Sequence, residues 1–204
     1  MLRNVLIAAA LCAGAAQAAD GGYWQVGGRI IGVVPDESAD ITIVGGDVKI
    51  DNSYMPELDI SYYFNPHWSV EIIASTMKHS VEHTPTGLDL GHVWLLPPTV
   101  TLSYHFAPDA QFQPYVGAGL NYTLFYSPGG EATGIDVDYD NAVGYALVAG
   151  FDVPVNDHWK FNVDVKKIFL NTDVKVTVAP GTVAKADVDI DPWVIGIGAR
   201  YTFN

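Results

Sequence analysis

Strict alternation of apolar and polar residues over ten or more positions limits this chain to very few folds. The last such stretch sets one apolar face against a polar or glycine-rich one: Trp193, Ile195, Ile197, Ala199, Tyr201 and Phe203 alternate with Val194, Gly196, Gly198, Arg200 and Thr202. Alternation with period two is the signature of a β-strand, because successive side chains of a strand point to opposite faces. The sequence therefore predicts an all-β protein.

Eight stretches of this kind follow one another, at residues 23–34, 54–64, 68–79, 94–106, 113–126, 142–154, 159–173 and 188–203. Most are long enough to cross a membrane as tilted strands. Tight turns such as Asn65-Pro66-His67 alternate with longer polar segments, at 35–53, 80–93, 127–141 and 174–187. This asymmetry predicts an eight-stranded antiparallel transmembrane β-barrel with short periplasmic turns and long extracellular loops.

Alternation alone does not decide which face of the barrel is the inside. A soluble barrel or sandwich would bury the apolar face, whereas a membrane barrel turns that face to lipid. The loop asymmetry and the alternating run that leads to Phe203 favour the membrane barrel. Aromatic residues at the ends of the runs also predict a periplasmic interface belt: Tyr63, Phe64, Trp68, Tyr104, Phe106, Tyr115, Phe151, Trp159, Tyr201 and Phe203.

The N-terminus has the features of a secretory signal peptide. Arg3 precedes an apolar run at 5–16, and Ala16-Gln17-Ala18 matches the A-x-A cleavage pattern. The run is shorter than the ~20 residues that a membrane-spanning helix needs. We therefore expect residues 1–18 to be cleaved and residues 19–204 to form one barrel domain.

Charge and motif content exclude several classes of function. The net charge of −13 argues against nucleic-acid binding, which requires a basic surface. Neither G-x-S-x-G nor H-E-x-x-H occurs, so we predict that the protein is not an enzyme and has no cofactor. The histidines and alternating aspartates of the predicted loops lack diagnostic spacing, so no metal site is predicted: His79, His83, His92, Asp136, Asp138 and Asp140.

Two segments resemble a known family. Leu96-Pro97-Pro98-Thr99 leads into Ser103-Tyr104-His105-Phe106, and residues 112–123 read FQPYVGAGLNYT. Both resemble segments of the OmpW family of outer-membrane proteins, which includes the alkane-import protein AlkL. At Lys166, however, this chain has a charge where family members are often aromatic.

The resemblance implies a channel in the outer membrane of a Gram-negative bacterium for passive uptake of small hydrophobic molecules. In that family the solute leaves sideways through the barrel wall. The implied partners are such solutes, membrane lipid and lipopolysaccharide, and the barrel-assembly machinery during insertion of a monomeric barrel. Two alternatives remain: a structural or surface-interaction barrel that acts through its extracellular loops without transport, and an outer-membrane enzyme.

The inward faces of the predicted strands supply the candidate site residues. Because an unpaired buried charge is costly, we expect a salt-bridged plug in the periplasmic half from Arg29, Glu57, Asp59, Glu71, Asp164, Lys166 and Arg200. The extracellular half is more apolar, and its candidate hydrophobic lining is Ile73, Met77, Trp94, Leu96, Phe125 and Leu170. A register error of one residue would turn any of these to lipid. Pro97 and Pro98 cannot donate ladder hydrogen bonds, which makes them either a lateral opening or a strand start.

Overall fold

A computed structural model describes residues 22–36, 38–41, 48–50, 52–83, 87–129, 135–178 and 181–203. The predicted signal peptide, residues 1–18, lies outside these ranges. Within them the chain forms only β-strands and connections, and no helix is long and apolar enough to cross a membrane.

The described strands, in chain order, are β1 (Tyr23–Val34), β2 (Ser38–Ile41), β3 (Val48–Ile50), β4 (Ser53–Asn65), β5 (Trp68–Ser75), β6 (Met77–His83), β7 (Leu88–Leu96), β8 (Thr99–His105), β9 (Gln113–Gly129), β10 (Ile135–Tyr139), β11 (Ala142–Pro154), β12 (Trp159–Phe169), β13 (Asn171–Val178), β14 (Thr182–Asp189) and β15 (Trp193–Phe203).

Eight of these strands close into an antiparallel barrel, in the order β1, β4, β5, β8, β9, β11, β12 and β15. Pairing of β15 with β1, from Trp24↔Phe203 to Val34↔Trp193, completes the ring. Closure leaves the barrel without a free sheet edge. The predicted all-β class, the eight-stranded barrel and its antiparallel arrangement are confirmed.

The outer surface of this barrel is apolar and its lumen is polar. Ile30, Leu58 and Ile195 point outward and are 58%, 67% and 57% exposed. Their neighbours Arg29 and Asp59 point inward and are almost completely buried. This is the arrangement of a membrane barrel, because lipid contacts the outer face.

Two of the predicted belt residues lie inside the barrel instead. Tyr63 and Tyr115 are 1% and 3% exposed. Tyr63 shares its inward orientation with Asp59 and Ser61, since residues two apart on a strand point to the same face. Assignment to the belt by position near the end of a run was therefore wrong for these two.

The segments predicted to be long loops contain much more regular structure than their sequence indicates. The segment at 80–93 is largely a β6–β7 hairpin, and the segment at 174–187 is largely a β13–β14 hairpin. Two sheets thus rise beyond the barrel, with the orders β9-β7-β6-β3 and β10-β13-β14-β2. Here alternation is inverted, because Val174 is buried while Asp173 and Lys175 are exposed.

Candidate functional site

Buried charges cross the lower half of the lumen, toward the short-turn end. All seven predicted plug residues meet there, and Asp152 joins them. We call this set the ion-paired layer: Arg29, Glu57, Asp59, Glu71, Asp152, Asp164, Lys166 and Arg200. The side chains come from six barrel strands, so the layer spans the lumen.

Arg29 lies at the centre of the ion-paired layer. Its Nε lies 2.9 Å from Glu57 Oε1, and its Nη2 donates to Glu71 Oε1 at 2.9 Å. Its Nη1 donates to Asp164, and Asp59 Oδ2 lies 3.3 Å from Nη2. One guanidinium group thus contacts four carboxylates, which uses its fork of donors in several directions.

The other two cations contact the same four carboxylates from neighbouring strands, and Arg200 also contacts Asp152. Arg200 Nη2 donates to Glu71 Oε2 at 2.5 Å, and its Nη1 lies 3.5 Å from Asp152 Oδ2. Lys166 Nζ donates to Glu57 Oε1 at 2.9 Å and to Asp164 Oδ1 at 3.1 Å. Because each cation bridges at least two carboxylates, the layer is one connected network.

Aromatic and polar side chains fill the lumen below the ion-paired layer. Tyr23 stacks on Tyr63 with ring centroids 4.4 Å apart, and His105 lies between Tyr63 and Tyr115 at 4.9 and 5.1 Å. Gln25 Nε2 donates to Thr202 Oγ1 at 2.9 Å. The short-turn end of the lumen is therefore packed with side chains.

Above the ion-paired layer the lumen opens into an apolar cavity of about 100 Å³. Its wall comes from both rising sheets and the upper barrel, and most lining residues are apolar: Val33, Ile50, Met77, Val81, Val93, Leu95, Phe125, Val137, Ile168, Leu170, Val174, Val176, Val188, Ile190 and Val194. The polar contributions come from His79, Thr123, Tyr139, Thr172 and Lys185. Such a cavity suits an apolar ligand.

The six predicted lining residues fall into three groups. Met77, Phe125 and Leu170 lie in the cavity wall. Ile73 is buried in the lumen but does not line the cavity.

Trp94 and Leu96 are not in the cavity wall, and their predicted inward orientation is wrong by one residue. Val93 and Leu95 line the cavity, so the residues between and after them point to the opposite face of β7. The Trp94 ring instead stacks on Tyr126, whose side chain is exposed, with centroids 6.3 Å apart. Inverted alternation is the signal that could have identified missed lining residues such as Val137, Val174 and Val188, each of which lies between charged residues. It gives no such signal for Val93 and Leu95, because Trp94 and Leu96 on the opposite face of β7 are also apolar.

The two prolines lie at an interruption of the barrel wall. The ladder that joins β5 to β8 ends at Ile73↔Thr99, and the ladder that joins β6 to β7 begins at Met77↔Leu95. Within the described strands, no ladder pair connects residues 74–76 with 96–98. At ~3.3 Å per residue, the unpaired interval between Ile73 and Met77 is about 13 Å long.

On their other side the prolines are closed onto β9. The Tyr122 amide donates to the Pro98 carbonyl at 3.0 Å, and Asn121 Nδ2 donates to Thr99 Oγ1 at 2.8 Å. Pro97 also lines the apolar cavity. Among the described residues, ladder pairs are also missing at Pro97 and Pro98 on the β9 side, but the Tyr122–Pro98 hydrogen bond bridges that gap. The wall is therefore more open on the β5–β6 side, where the unpaired interval borders the cavity.

The loop histidines and aspartates do not form a metal site in the part of the chain that the structure covers. There, no three His, Cys, Asp or Glu side chains come close enough to hold an ion. His79 instead lies in the cavity wall, with its Nε2 3.4 Å from Ser53 Oγ.

The apolar outer face, the polar lumen and the closed ring of eight antiparallel strands together define an outer-membrane β-barrel. The model of the OmpW family matches residues 20–203, and the chain belongs to that family. The predicted family and the outer-membrane location are confirmed. Curated relatives are named as outer-membrane proteins of Gram-negative bacteria, and the fold is that of a barrel in the lipid bilayer.

Three relatives and one solved structure illustrate the similarity. The uncharacterized outer-membrane protein y4mB of Sinorhizobium fredii is 43% identical, over 88% of this chain and 80% of its own. Outer membrane protein W of Vibrio cholerae is 33% identical, over 98% of this chain and 97% of its own. The dibenzothiophene metabolism operon protein PahQ of Pseudomonas aeruginosa is 31% identical, over 78% of this chain and 77% of its own. The crystal structure of OprG from Pseudomonas aeruginosa has a TM-score of 0.83 at 30% identity, covering 90% of this chain and 97% of that one.

Proposed function

We propose that this protein is a non-enzymatic channel for passive uptake of small hydrophobic molecules. The solute enters the apolar cavity from the long-loop, extracellular end and leaves through the wall at Pro97 and Pro98 into the bilayer. The observation that carries this proposal is the position of the cavity. It lies directly above the ion-paired layer and beside the unpaired interval of the wall.

The chemistry of the cavity selects the solute class. An apolar protein cavity of ~150 Å³ is known to bind benzene, so a cavity of this order accommodates one small ring with modest adjustment of side chains. The aliphatic wall gives an apolar solute a favourable transfer from water. Ions and sugars would lose hydration without replacement hydrogen bonds, and this cost excludes them.

The ion-paired layer directs the solute sideways. Passage to the periplasm would require separation of Arg29, Lys166 and Arg200 from their carboxylates in a site that water barely reaches. Passage at the unpaired interval breaks no ladder hydrogen bond and leads from one apolar environment to another. The lateral path therefore has the lower barrier.

A relative supports the solute class. PahQ is named for a dibenzothiophene metabolism operon, and dibenzothiophene is an apolar aromatic compound. We extend the remaining expectations to this chain on the same basis: contact with lipid and lipopolysaccharide, insertion by the barrel-assembly machinery, and action as a monomer.

The test uses two adjacent residues of β15, on the side of the barrel opposite the unpaired interval. Val194 lines the cavity, whereas Ile195 faces outward. We expect cells that contain the protein to take up radiolabelled toluene several-fold faster than cells that lack it. Val194→Asn should reduce the protein-dependent rate about tenfold, and Ile195→Asn should leave it nearly unchanged. Equal uptake with and without the protein would overturn the proposal.

The alternative is a surface-interaction barrel without transport. The outward-facing aspartates of the rising sheet β10-β13-β14-β2 favour it, because Asp136, Asp138, Asp173 and Asp187 are all exposed. That function predicts no protein-dependent toluene uptake. It also predicts that replacing these four residues by asparagine abolishes binding to a cationic partner.

A further inference from the structure

A contact on the outer surface of the barrel spans the wall at the unpaired interval. Thr76 lies at the break between β5 and β6, where ladder pairing with β7 and β8 is interrupted. Its Oγ1 shares a hydrogen bond with the hydroxyl of Tyr126, which is 50 positions away on β9. The contact therefore joins two strands that are not neighbours.

The strand between them is β7. Leu95 and Leu96 pair with Phe125 and Leu124 of β9, and Met77 of β6 pairs with Leu95 from the other side. The Tyr126 side chain thus reaches across the outer face of β7 to Thr76. Trp94 of β7 stacks on the Tyr126 ring at 6.3 Å between centroids and supports it.

This contact compensates for missing ladder bonds. Pro97 and Pro98 have no amide hydrogen to donate, and residues 74–76 have no ladder partner across the interval. A hydrogen bond between the two hydroxyl groups links the two sides of the wall where ladder hydrogen bonds are missing. Among the residues that the structure describes, this contact connects the two sides of the interruption through side chains.

We propose that the Thr76–Tyr126 contact is a clasp that holds the lateral exit closed, and that each solute leaves when the clasp opens. The inference rests on the proposed function, because it assigns control of the same exit. Tyr126 and Thr76 are then the residues that set the exit rate, while the cavity residues set which solute enters.

Hydrogen exchange of backbone amides tests the clasp without reference to transport. Tyr126→Phe removes the hydroxyl and keeps the ring that packs on Trp94, and Thr76→Val removes the other hydroxyl. Each variant should increase exchange about fivefold at residues 74–77, 95 and 96, the order expected for loss of one hydrogen bond. Thr76→Ser retains a hydroxyl and should exchange like the natural protein.

Tyr122→Phe is the matched control. Tyr122 lies four residues earlier on β9 and is also exposed on the outer face, but its hydroxyl is not the one that contacts Thr76. This variant should not alter exchange at residues 74–77. Unchanged exchange in both Tyr126→Phe and Thr76→Val, or an equal increase in Tyr122→Phe, would overturn the clasp.

Toluene uptake by the same variants separates the clasp from the proposed function. Tyr126→Phe and Thr76→Val should raise the protein-dependent rate about two- to fivefold, and Thr76→Ser should not. Faster exchange with no protein-dependent uptake in any variant would overturn both the channel and the gating role. Uptake that requires the protein but is identical in Tyr126→Phe and the natural chain would overturn the clasp alone.

Discussion

The lower and upper halves of the lumen are enclosed by the same set of strands but have opposite chemistry. On β1, the inward residues change from Arg29 to Ile31 to Val33 within two steps. Arg29 contacts four carboxylates, whereas Val33 lines an apolar cavity. The inner face of a barrel strand is therefore not one environment, and in the proposed channel the position of the change fixes where a solute stops.

At a similar height along the barrel, the outer face changes in the opposite direction, from apolar to charged. Below it, outward residues such as Ile195 are apolar, and above it Asp173 and Lys175 are exposed. Lys167 lies near the boundary, with its Nζ 5.1 Å from the Trp193 ring centroid and 3.1 Å from Asp36 Oδ2. Aromatic rings beside a cation are typical of a membrane interface. The floor of the cavity thus lies near the outer edge of the bilayer, as the proposed lateral exit requires.

The largest effect on the charged lower lumen is expected from removal of Arg29, the central cation of the ion-paired layer. Arg29→Met should lower the free energy of unfolding by about 3–5 kcal/mol, because it leaves buried carboxylates without their shared partner. Urea unfolding of the purified barrel in lipid vesicles measures the change.

Lys167→Met is the matched control for that variant. The ion pair of Lys167 with Asp36 is partly exposed, with side-chain exposures of 14% and 71%, so solvent screens it. Lys167→Met also removes the hydrogen bond from Lys167 Nζ to the Asp191 carbonyl, so the variant should cost about 1–2 kcal/mol, less than Arg29→Met. Equal effects of Arg29→Met and Lys167→Met would show that the lower lumen admits water and is not a closed layer.

A smaller effect is expected from one added methyl group in the lower lumen. A Cβ at Gly27 would lie 2.6 Å from Cγ of Asp59, which both arginines hold in place. Gly27→Ala should therefore destabilise the barrel by about 1–3 kcal/mol.

The adjacent glycine provides the control. A Cβ at Gly28 points outward and lies 3.9 Å from Leu58 Cδ2, an ordinary contact. Gly28→Ala should be neutral or stabilising by up to about 1 kcal/mol, since alanine restricts the unfolded chain. If the two substitutions had the same effect, close packing of the lower lumen would be refuted.

The sequence predicts the barrel and its charged layer well because both depend on which residues of a strand share a face. Residues two apart share a face, so Arg29, Glu57 and Asp59 could be placed inward before their partners were known. Which carboxylate contacts which cation could not be predicted, because those pairs join residues as far apart as Arg200 and Glu71. The register between distant strands decides them.

The apolar cavity was harder to predict because its walls belong to segments that resemble loops. Val174 and Val188 alternate with charged residues. A segment with so many charges is equally typical of a polar loop on the surface. Trp94 and Leu96 failed for a related reason: in a strand whose two faces are both apolar, period two does not distinguish inside from outside. The residue paired with Trp94 on the neighbouring strand, Tyr126, shows which face of β7 is outside. Such pairing cannot be read from one sequence.

The smallest expected effect comes from adding one methylene group to a side chain of β1 in the upper lumen. Val33 lines the cavity and Val34 faces outward. Val33→Leu extends a side chain into open apolar space, so unlike Gly27→Ala it should not destabilise the barrel, and it should gain at most ~0.8 kcal/mol from extra contact. Val34→Leu makes the same change of residue type at a position outside the cavity. The difference between the two variants in the free energy of unfolding, measured in urea, gives the contribution of the cavity. A loss of more than about 1 kcal/mol in Val33→Leu relative to Val34→Leu would mean that the upper lumen is as tightly packed as the lower, and a cavity that is already full has no room for a solute.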